Sequence, residues 1–135
     1  MSINIKKTDD IYLVRFPDFN NVNTYGLTLE EAFRNASESL NGSIISDFGR
    51  GFKFPERKEY SGEEYYKILV YPNIAIAIQL RELRGSKTQI EMARALGISY
   101  QAYQKLENPI KSNPTVKTLM KVSKTLNKNL LFEFV

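Results

Sequence analysis

A short segment of the C-terminal half combines residue types that can read DNA bases. Tyr100, Gln101, Gln104 and Lys105 occur within six consecutive positions. A glutamine amide can bond adenine N6 and N7 together, a lysine can donate to guanine O6 or N7, and a tyrosine can contact a thymine methyl group or a phosphate. These residue types are compatible with binding a nucleic acid, and each can also be a merely solvated side chain.

The residues of the commoner catalytic reactions are missing. The 135-residue chain has no cysteine and no histidine. That count excludes a disulfide, a thiol nucleophile, an imidazole base and the nitrogen or sulfur ligands of a zinc site. We therefore expect no metal ion, no cofactor and no enzymatic activity.

The composition is that of an ordinary folded protein, with 42% apolar and 25% charged residues. The longest apolar run, at residues 74–78, is far shorter than the roughly 18 to 20 residues that cross a bilayer. The first five residues lack the long apolar stretch of a secretory signal. We expect a cytoplasmic protein with no membrane partner.

The charge is divided unevenly at Pro72. Residues 1–72 carry nine basic and eleven acidic groups, a net charge of −2, whereas residues 73–135 carry ten basic and four acidic groups, a net charge of +6. This asymmetry indicates two domains, 1–72 and 73–135, of which the second has a polyanion as its partner. A basic half can also serve solubility alone, so charge by itself leaves nucleic acid undecided.

From Asn73 onward the apolar residues recur at helical spacing. We expect caps at four residues that favour helix N-termini, namely Asn73, Thr88 with Glu91 as a capping box, Ser99, and Asn113 followed by Pro114. The helices they begin are predicted over residues 74–84, 89–96, 99–107 and 115–126. Four short helices of this kind make a compact all-α bundle.

The second and third of these helices meet the steric demands of a helix-turn-helix. Ala93 is small where the two helices cross, Gly97 allows a positive φ in the turn, and Tyr103 and Leu106 are apolar where the second helix packs back. With Tyr103 and Leu106 turned inward, the outward-facing residues of the second helix are Tyr100, Gln101, Gln104 and Lys105.

The segment from Thr88 to Asn108 resembles the Cro/C1-type (XRE) family of DNA-binding domains in its Thr-Gln, Ala, Gly-hydrophobic-Ser and Leu-Glu-Asn pattern. The resemblance implies that the third helix enters the major groove of an operator and that a dimer binds two half-sites. It places base contacts on Tyr100, Gln101 and Lys105, beside outward-facing Gln104. Phosphate contacts are expected at a helix start and after the recognition helix, at Gln89, Ser99, Asn108 and Lys111. A merely solvated side chain is the alternative for each.

The first 72 residues predict a small α+β layer. Residues 3–5 and 11–16 indicate a hairpin, 22–25 a third strand, and 66–71 a returning strand stopped by Pro72. Between them, Thr28 and Glu31 form a capping box that opens a helix. Its apolar face is made by Leu29, Ala32, Phe33, Ala36, Leu40 and Ile44. Gly42 and Gly49 weaken the helix beyond that point, and residues 54–62 are expected to form an exposed loop.

Two runs of this half, 12–18 (Tyr-Leu-Val-Arg-Phe-Pro-Asp) and 24–32 (Thr-Tyr-Gly-Leu-Thr-Leu-Glu-Glu-Ala), resemble the start of HicB-family antitoxins. The sequence departs from the family pattern at residues 20–22 and at Leu27. The resemblance implies a partial ribonuclease H-like fold and a domain that binds a HicA-like mRNA-cleaving toxin. The predicted fold class is therefore a small HicB-like α+β domain followed by an all-α helix-turn-helix domain.

A nuclease is the rival class, because two-metal cleavage needs carboxylates that converge on metal ions about 4 Å apart. The strand over 11–16 carries no carboxylate; Asp9, Asp10 and Asp18 lie at its ends. Glu30 and Glu31 already have a capping and solvating role. Residues 48–52, rich in glycine, lack the lysine and serine of a phosphate-binding loop, so a flexible connection is favoured.

Together these patterns predict an antitoxin that neutralises a HicA-like toxin and represses its own operon as a DNA-bound dimer, with higher oligomers left open. The alternative is a transcription regulator whose first domain senses a small ligand. The apolar tail at 130–135 is expected to form a strand with Leu130, Phe132 and Phe134 on one face. We expect that strand to pair with its copy in a second chain, while packing on the chain's own helices is the other option.

Overall fold

The computed structural model describes residues 1–19, 22–51 and 58–135. The chain divides into two compact units, Met1–Tyr71 and Pro72–Val135. The first is a sheet with one long helix and the second is all-helical, so the predicted fold class, an α+β domain followed by an all-α domain, is confirmed. No helix among the described residues is long and apolar enough to cross a membrane.

The first unit is built on a four-stranded antiparallel sheet. Its strands are β1 (Ser2–Lys7), β2 (Tyr12–Arg15), β3 (Asn23–Gly26) and β4 (Tyr65–Lys67), in the order β3-β2-β1-β4. The predicted hairpin and third strand are thus confirmed. The loop expected at Asn20 and Asn21 lies outside the described residues. Of the loop expected at 54–62, residues 54–57 also lie outside them.

One face of the sheet is covered by the helix α1 (Leu29–Gly49). The strands contribute buried Ile3, Ile5 and Val14, while a stripe of small and branched side chains on the helix is buried opposite them, namely Ala32, Ala36, Leu40 and Ile44. The rings of Phe33 and Tyr66 meet edge to face, with centroids 5.1 Å apart. Leu29, expected on this apolar face, is instead exposed at the first turn of the helix.

The helix α1 is longer than predicted. Its apolar face reaches Ile44, as predicted, but the helix continues to Gly49, although a glycine within a helix costs roughly 1 kcal/mol. The capping box at its start is half formed. The Thr28 hydroxyl accepts from the Glu31 amide at 3.1 Å, but the Glu31 carboxylate accepts from the Leu27 amide instead of from Thr28.

The returning strand is shorter than the predicted 66–71. After β4, Ile68 exchanges backbone hydrogen bonds with Met1, and the chain then leaves the sheet. The Tyr71 amide donates to Oδ1 of Asn41 at 2.8 Å, and Asn41 is buried within α1. A helix side chain therefore satisfies the backbone that a longer strand would have paired.

The second unit contains four helices. They are α2 (Pro72–Arg84), α3 (Gln89–Leu96), α4 (Tyr100–Leu106) and α5 (Val116–Thr125). Their core consists of side chains from all four helices, namely Leu80, Met92, Ala93, Leu96, Tyr103, Leu106 and Val122. Ala93, predicted to lie where two helices cross closely, is one of the buried residues of this core.

Two of the predicted caps in this unit are wrong. Pro72 is the first residue of α2. This position suits proline because a backbone N–H there would have no hydrogen-bond partner within the helix. Asn73 lies inside the helix, and its side-chain nitrogen Nδ2 donates to the Pro109 carbonyl at 3.0 Å. Asn113 and Pro114 precede α5, whose N-cap is Thr115 with its hydroxyl accepting from the Thr118 amide.

The residues after α5 have no regular secondary structure in the single chain. Asn127 ends the helical backbone with a φ of 51°. The apolar side chains of the tail at 130–135 are exposed, Leu130 least at 41% and Phe134 and Val135 most at 91%.

Candidate nucleic-acid interface

The turn between α3 and α4 fixes how α4 is presented. Gly97 has a φ of 65°, the left-handed conformation that the sequence predicts for this turn. The Ile98 amide returns to the Ala93 carbonyl at 3.0 Å, which closes the end of α3. The Ser99 hydroxyl then accepts from the Ala102 amide at 3.0 Å and begins α4. These contacts set a fixed angle between the two helices.

The predicted base-reading residues share the exposed side of α4. Tyr100, Gln101, Gln104 and Lys105 are all exposed, whereas Tyr103 and Leu106 are buried in the core of the unit. Lys105 carries the only charge of the helix. The arrangement therefore offers hydrogen-bonding side chains and one positive charge on a single helix face.

The residues predicted to contact phosphate at helix starts are already engaged in the unbound chain. Thr88 and Glu91 form the complete predicted capping box, which orders the first turn of α3. Gln89, the first residue of α3, is half-buried, and its amide nitrogen donates to Glu107 Oε1 at 3.4 Å. Ser99 uses its hydroxyl oxygen as the cap of α4, although the side chain is exposed and the hydroxyl can still donate.

The loop after α4 is ordered by Asn108. Its Oδ1 accepts from the backbone amides of Ile110 and Lys111, at 3.0 and 3.2 Å. The side chain of Lys111 is exposed at the end of this turn. The structure thus gives Asn108 a role in shaping the loop that presents Lys111, besides the phosphate contact that we expect for it.

A buried ion pair joins α2 to the end of α4. Nε and Nη2 of Arg84 donate to the Glu107 carboxylate at 2.8 and 3.1 Å, and only 3% of the Glu107 side chain is exposed. Arg84 also donates to the Lys87 carbonyl at 2.7 Å. We did not predict this pair, although Glu107 follows the buried positions 103 and 106 at helical spacing and should have been placed on the inner face.

The same network surrounds the phenol of Tyr103. This side chain is fully buried, and burial together with the nearby Glu107 carboxylate raises its pKa. The hydrogen bonds to Glu107 raise the pKa of Arg84 as well. Arg84 is therefore charged, and Tyr103 neutral, at every pH at which DNA binding would be measured.

The residues predicted for dimerisation lie in the exposed tail. Leu130, Phe132 and Phe134 are 41%, 70% and 91% exposed. The rings of Phe132 and Phe134 meet edge to face with centroids 5.2 Å apart, so these two side chains lie on the same side of the tail. An apolar stripe of this kind is unpaired in the single chain.

The carboxylates considered for a nuclease are dispersed. Asp9 and Asp10 lie in the turn before β2, and Asp18 accepts a hydrogen bond from the Tyr60 hydroxyl at 3.0 Å. Within the part of the chain that the structure describes, no group of three or more acidic residues could hold a metal ion.

Comparison with known protein families agrees with this geometry. The helix-turn-helix family of the Cro/C1 type matches residues 78–132, which span the core of the second unit and the whole recognition segment. The chain therefore contains a helix-turn-helix domain, of the class found in DNA-binding transcription regulators. A search of curated proteins found no match to the chain.

Proposed function

We propose that the protein is the antitoxin of a toxin–antitoxin pair and the repressor of its own operon. The observation that carries the DNA-binding part is the exposed side of α4, which presents Tyr100, Gln101, Gln104 and Lys105 within a matched helix-turn-helix domain. We expect these side chains to contact base edges in a major groove, and a glutamine such as Gln101 can bond adenine at both N6 and N7.

A dimer fits this role because a helix-turn-helix operator has two half-sites related by a two-fold axis. The exposed stripe Leu130, Phe132 and Phe134 supports pairing of the tail with a second chain, since an isolated strand leaves its backbone groups without partners. Gln89, Ser99, Asn108 and Lys111 would then contact phosphates at each half-site.

The antitoxin part is supported by the first unit. The strand β2 leads into Phe16-Pro17-Asp18, β3 contains Thr24-Tyr25-Gly26, and α1 begins after the Thr28 cap. The motifs that resemble the HicB family thus lie on successive elements of one small sheet-and-helix unit. The partner we propose is a HicA-like toxin, and a net charge of −2 suits a basic protein of that kind.

Three measurements test the proposal. The full chain, purified with a tag, should bring down a small basic protein encoded beside it, and should shift a DNA fragment from its own promoter. Co-expression of residues 1–72 should rescue growth from that toxin, whereas residues 73–135 should not. Rescue by the second half alone would contradict this division of labour. DNA binding without any protein partner, but sensitive to a small molecule, would favour the ligand-sensing regulator instead.

Lys105 separates the two activities within the full chain. The substitution Lys105→Ala should relieve repression of a promoter reporter and leave neutralisation of the toxin unchanged, because the side chain lies on the recognition helix. Loss of both activities together would contradict the assignment of one activity to each unit.

A further inference from the structure

The sheet of the first unit has a second face, opposite α1, which we call the open face. Strand register fixes its members, because residues paired across antiparallel strands point to the same side. Lys6, Leu13 and Tyr25 form one row across β1, β2 and β3. The next row is centred on Asn4 of β1, which pairs with Arg15 of β2 on one side and with Tyr65 of β4 on the other. Lys67 of β4 lies in the row after that. Ile3, Ile5 and Val14 point the other way, into the core.

The open face is basic although its unit is acidic. Residues 1–72 have a net charge of −2, yet the four strands contain four basic residues and no acidic one. Lys6, Arg15 and Lys67 lie on the open face and are exposed, while Lys7 lies on the other side, above the ring of Tyr12. The acidic residues are confined to α1 and the loops. The strand residues of the face therefore carry three positive charges, and Asp18, which accepts a hydrogen bond from the Tyr60 hydroxyl, is an acidic side chain near its Tyr65 edge.

Aromatic side chains accompany these charges. Tyr25 is 55% exposed on the edge strand β3. Tyr65, on the opposite edge, is stacked on Tyr60 with ring centroids 5.4 Å apart. Three strand spacings separate the two edges, a distance of about 14 Å. Unstacked bases can stack on two exposed aromatic rings of this kind, and basic side chains between the rings can bind the phosphates. A surface of this size accommodates two or three nucleotides.

We propose that the open face binds single-stranded RNA, with bases stacked on Tyr25 and Tyr65 and phosphates bound by Lys6, Arg15 and Lys67. Asn4 and Asn23 lie in the row of Arg15, where an amide can donate to or accept from a ribose 2′-hydroxyl. A duplex is excluded as the occupant because its paired bases cannot reach the rings. A basic protein is repelled by the three positive charges. The proposal does not rest on the antitoxin function.

A tryptophan at position 25 provides a local probe, since the chain has no tryptophan of its own. In the full-length protein, Tyr25→Trp should show strong emission that a mixed-sequence octaribonucleotide quenches on stacking. Tyr71→Trp is the matched reporter, because Tyr71 is a 45% exposed tyrosine of the same unit that bonds Ser37 of α1 rather than lying on the open face. Its emission should remain unchanged. Binding of RNA to the helix-turn-helix domain alone would leave both reporters unquenched.

Two adjacent lysines test the electrostatic part with equal changes of charge. Lys6→Glu, on the open face, should weaken binding of the octamer to the Tyr25→Trp reporter by about tenfold. Lys7→Glu, on the other side of the same strand, should change it by less than about twofold. Unchanged melting curves would establish that both variants are folded.

Three results would overturn the proposal. They are unquenched emission at position 25, equal losses for the two lysine variants, and quenching by a co-purified protein in place of RNA. The last would make the open face a protein-docking surface. A variant Tyr25→Phe that binds RNA like the parent, together with Tyr25→Ser that loses about tenfold or more, would support stacking over hydrogen bonding by the tyrosine hydroxyl.

Discussion

Arg84 of α2 and Glu107, the residue that ends α4, form a two-point ion pair with N–O distances of 2.8 and 3.1 Å. The carboxylate is almost fully buried, and it also accepts from Gln89 at the start of α3. Three helices are thus joined at a single carboxylate. The orientation of the recognition helix depends on this joint as well as on the apolar core.

The ion pair leads to the first prediction. Arg84→Met should lower the free energy of unfolding of the second unit by about 3 kcal/mol, because it leaves a buried charge unpaired. Arg84→Met combined with Glu107→Leu should recover most of that loss, since no charge then remains buried. Urea denaturation of the four members of this cycle measures the coupling.

The exposed pair between Glu30 and Arg34 provides the control for that cycle. These side chains are 4.0 Å apart and 90% and 63% exposed. Glu30→Gln should therefore change stability by less than about 0.5 kcal/mol. Equal effects at the two pairs would contradict a special role for the buried one.

The second prediction concerns Gln101. The substitution Gln101→Ala should weaken binding to the operator by about 1 to 3 kcal/mol and leave binding to random duplex DNA nearly unchanged, because a base contact discriminates between sequences. Lys111→Ala is the comparison, since an exposed lysine that meets a phosphate should weaken both by a similar factor. Fluorescence anisotropy at several salt concentrations distinguishes the two. Equal losses on both DNAs for Gln101→Ala would refute the base contact.

The third prediction is a pH dependence that follows from the raised pKa of Tyr103. In the unfolded chain a tyrosine ionises near its ordinary pKa of about 10, whereas buried Tyr103 keeps its proton. Stability is therefore fully present below pH 10 and declines as the pH rises above it, by up to about 1.4 kcal/mol per pH unit for one group. Tyr103→Phe should flatten this decline in denaturant titrations at pH 9 to 11. Tyr100→Phe, which removes a hydroxyl from an exposed ring on the same helix, is the control for the substitution itself.

The fourth prediction compares two glycines of the first unit. A Cβ atom on Gly26 would lie 2.3 Å from the Ala32 backbone nitrogen, so Gly26→Ala should force β3 away from α1 and destabilise the unit by several kcal/mol. A Cβ on Gly42, exposed within α1, would meet nothing within 4 Å. Gly42→Ala should therefore stabilise the unit by about 0.5 to 1 kcal/mol. Thermal unfolding that shifts in the same direction for both would contradict this packing.

The fifth prediction concerns the exposed tail. Deletion of residues 130–135 should convert a dimer of the full chain to a monomer and remove most of its affinity for a two-site operator, because each half-site would then be bound independently. Sedimentation and anisotropy measure the two effects. A truncated chain that still sediments as a dimer would rule out pairing through the tail.

Local signals predicted much of the fold. The left-handed Gly97, the capping box at Thr88 and the alternation of apolar residues in β1 act within a few residues, and each is found as expected. The helix α1 was predicted too short because two glycines were weighed without the sheet on which the helix packs. Propensity is a weak guide where tertiary burial opposes it.

The inner supports of the recognition helix were harder to predict than its outer face. Helical spacing alone separates Gln101 and Lys105 from Tyr103, so the exposed set could be derived from the sequence. Glu107 also has the inward spacing, but a carboxylate is not expected in a core unless a partner is known. That partner, Arg84, lies 23 positions away, and only the fold brings it near.

The recognition helix α4 has seven residues, which is about two turns. A helix of that length has almost no population in water by itself. It exists because Ser99 begins it, Tyr103 and Leu106 anchor it, and Glu107 ties its end to Arg84. The exposed side of α4 is therefore formed and lost together with the whole four-helix bundle. A newly synthesised chain does not present this helix face until the bundle closes, and a protease that cuts an open bundle abolishes the face in a single event.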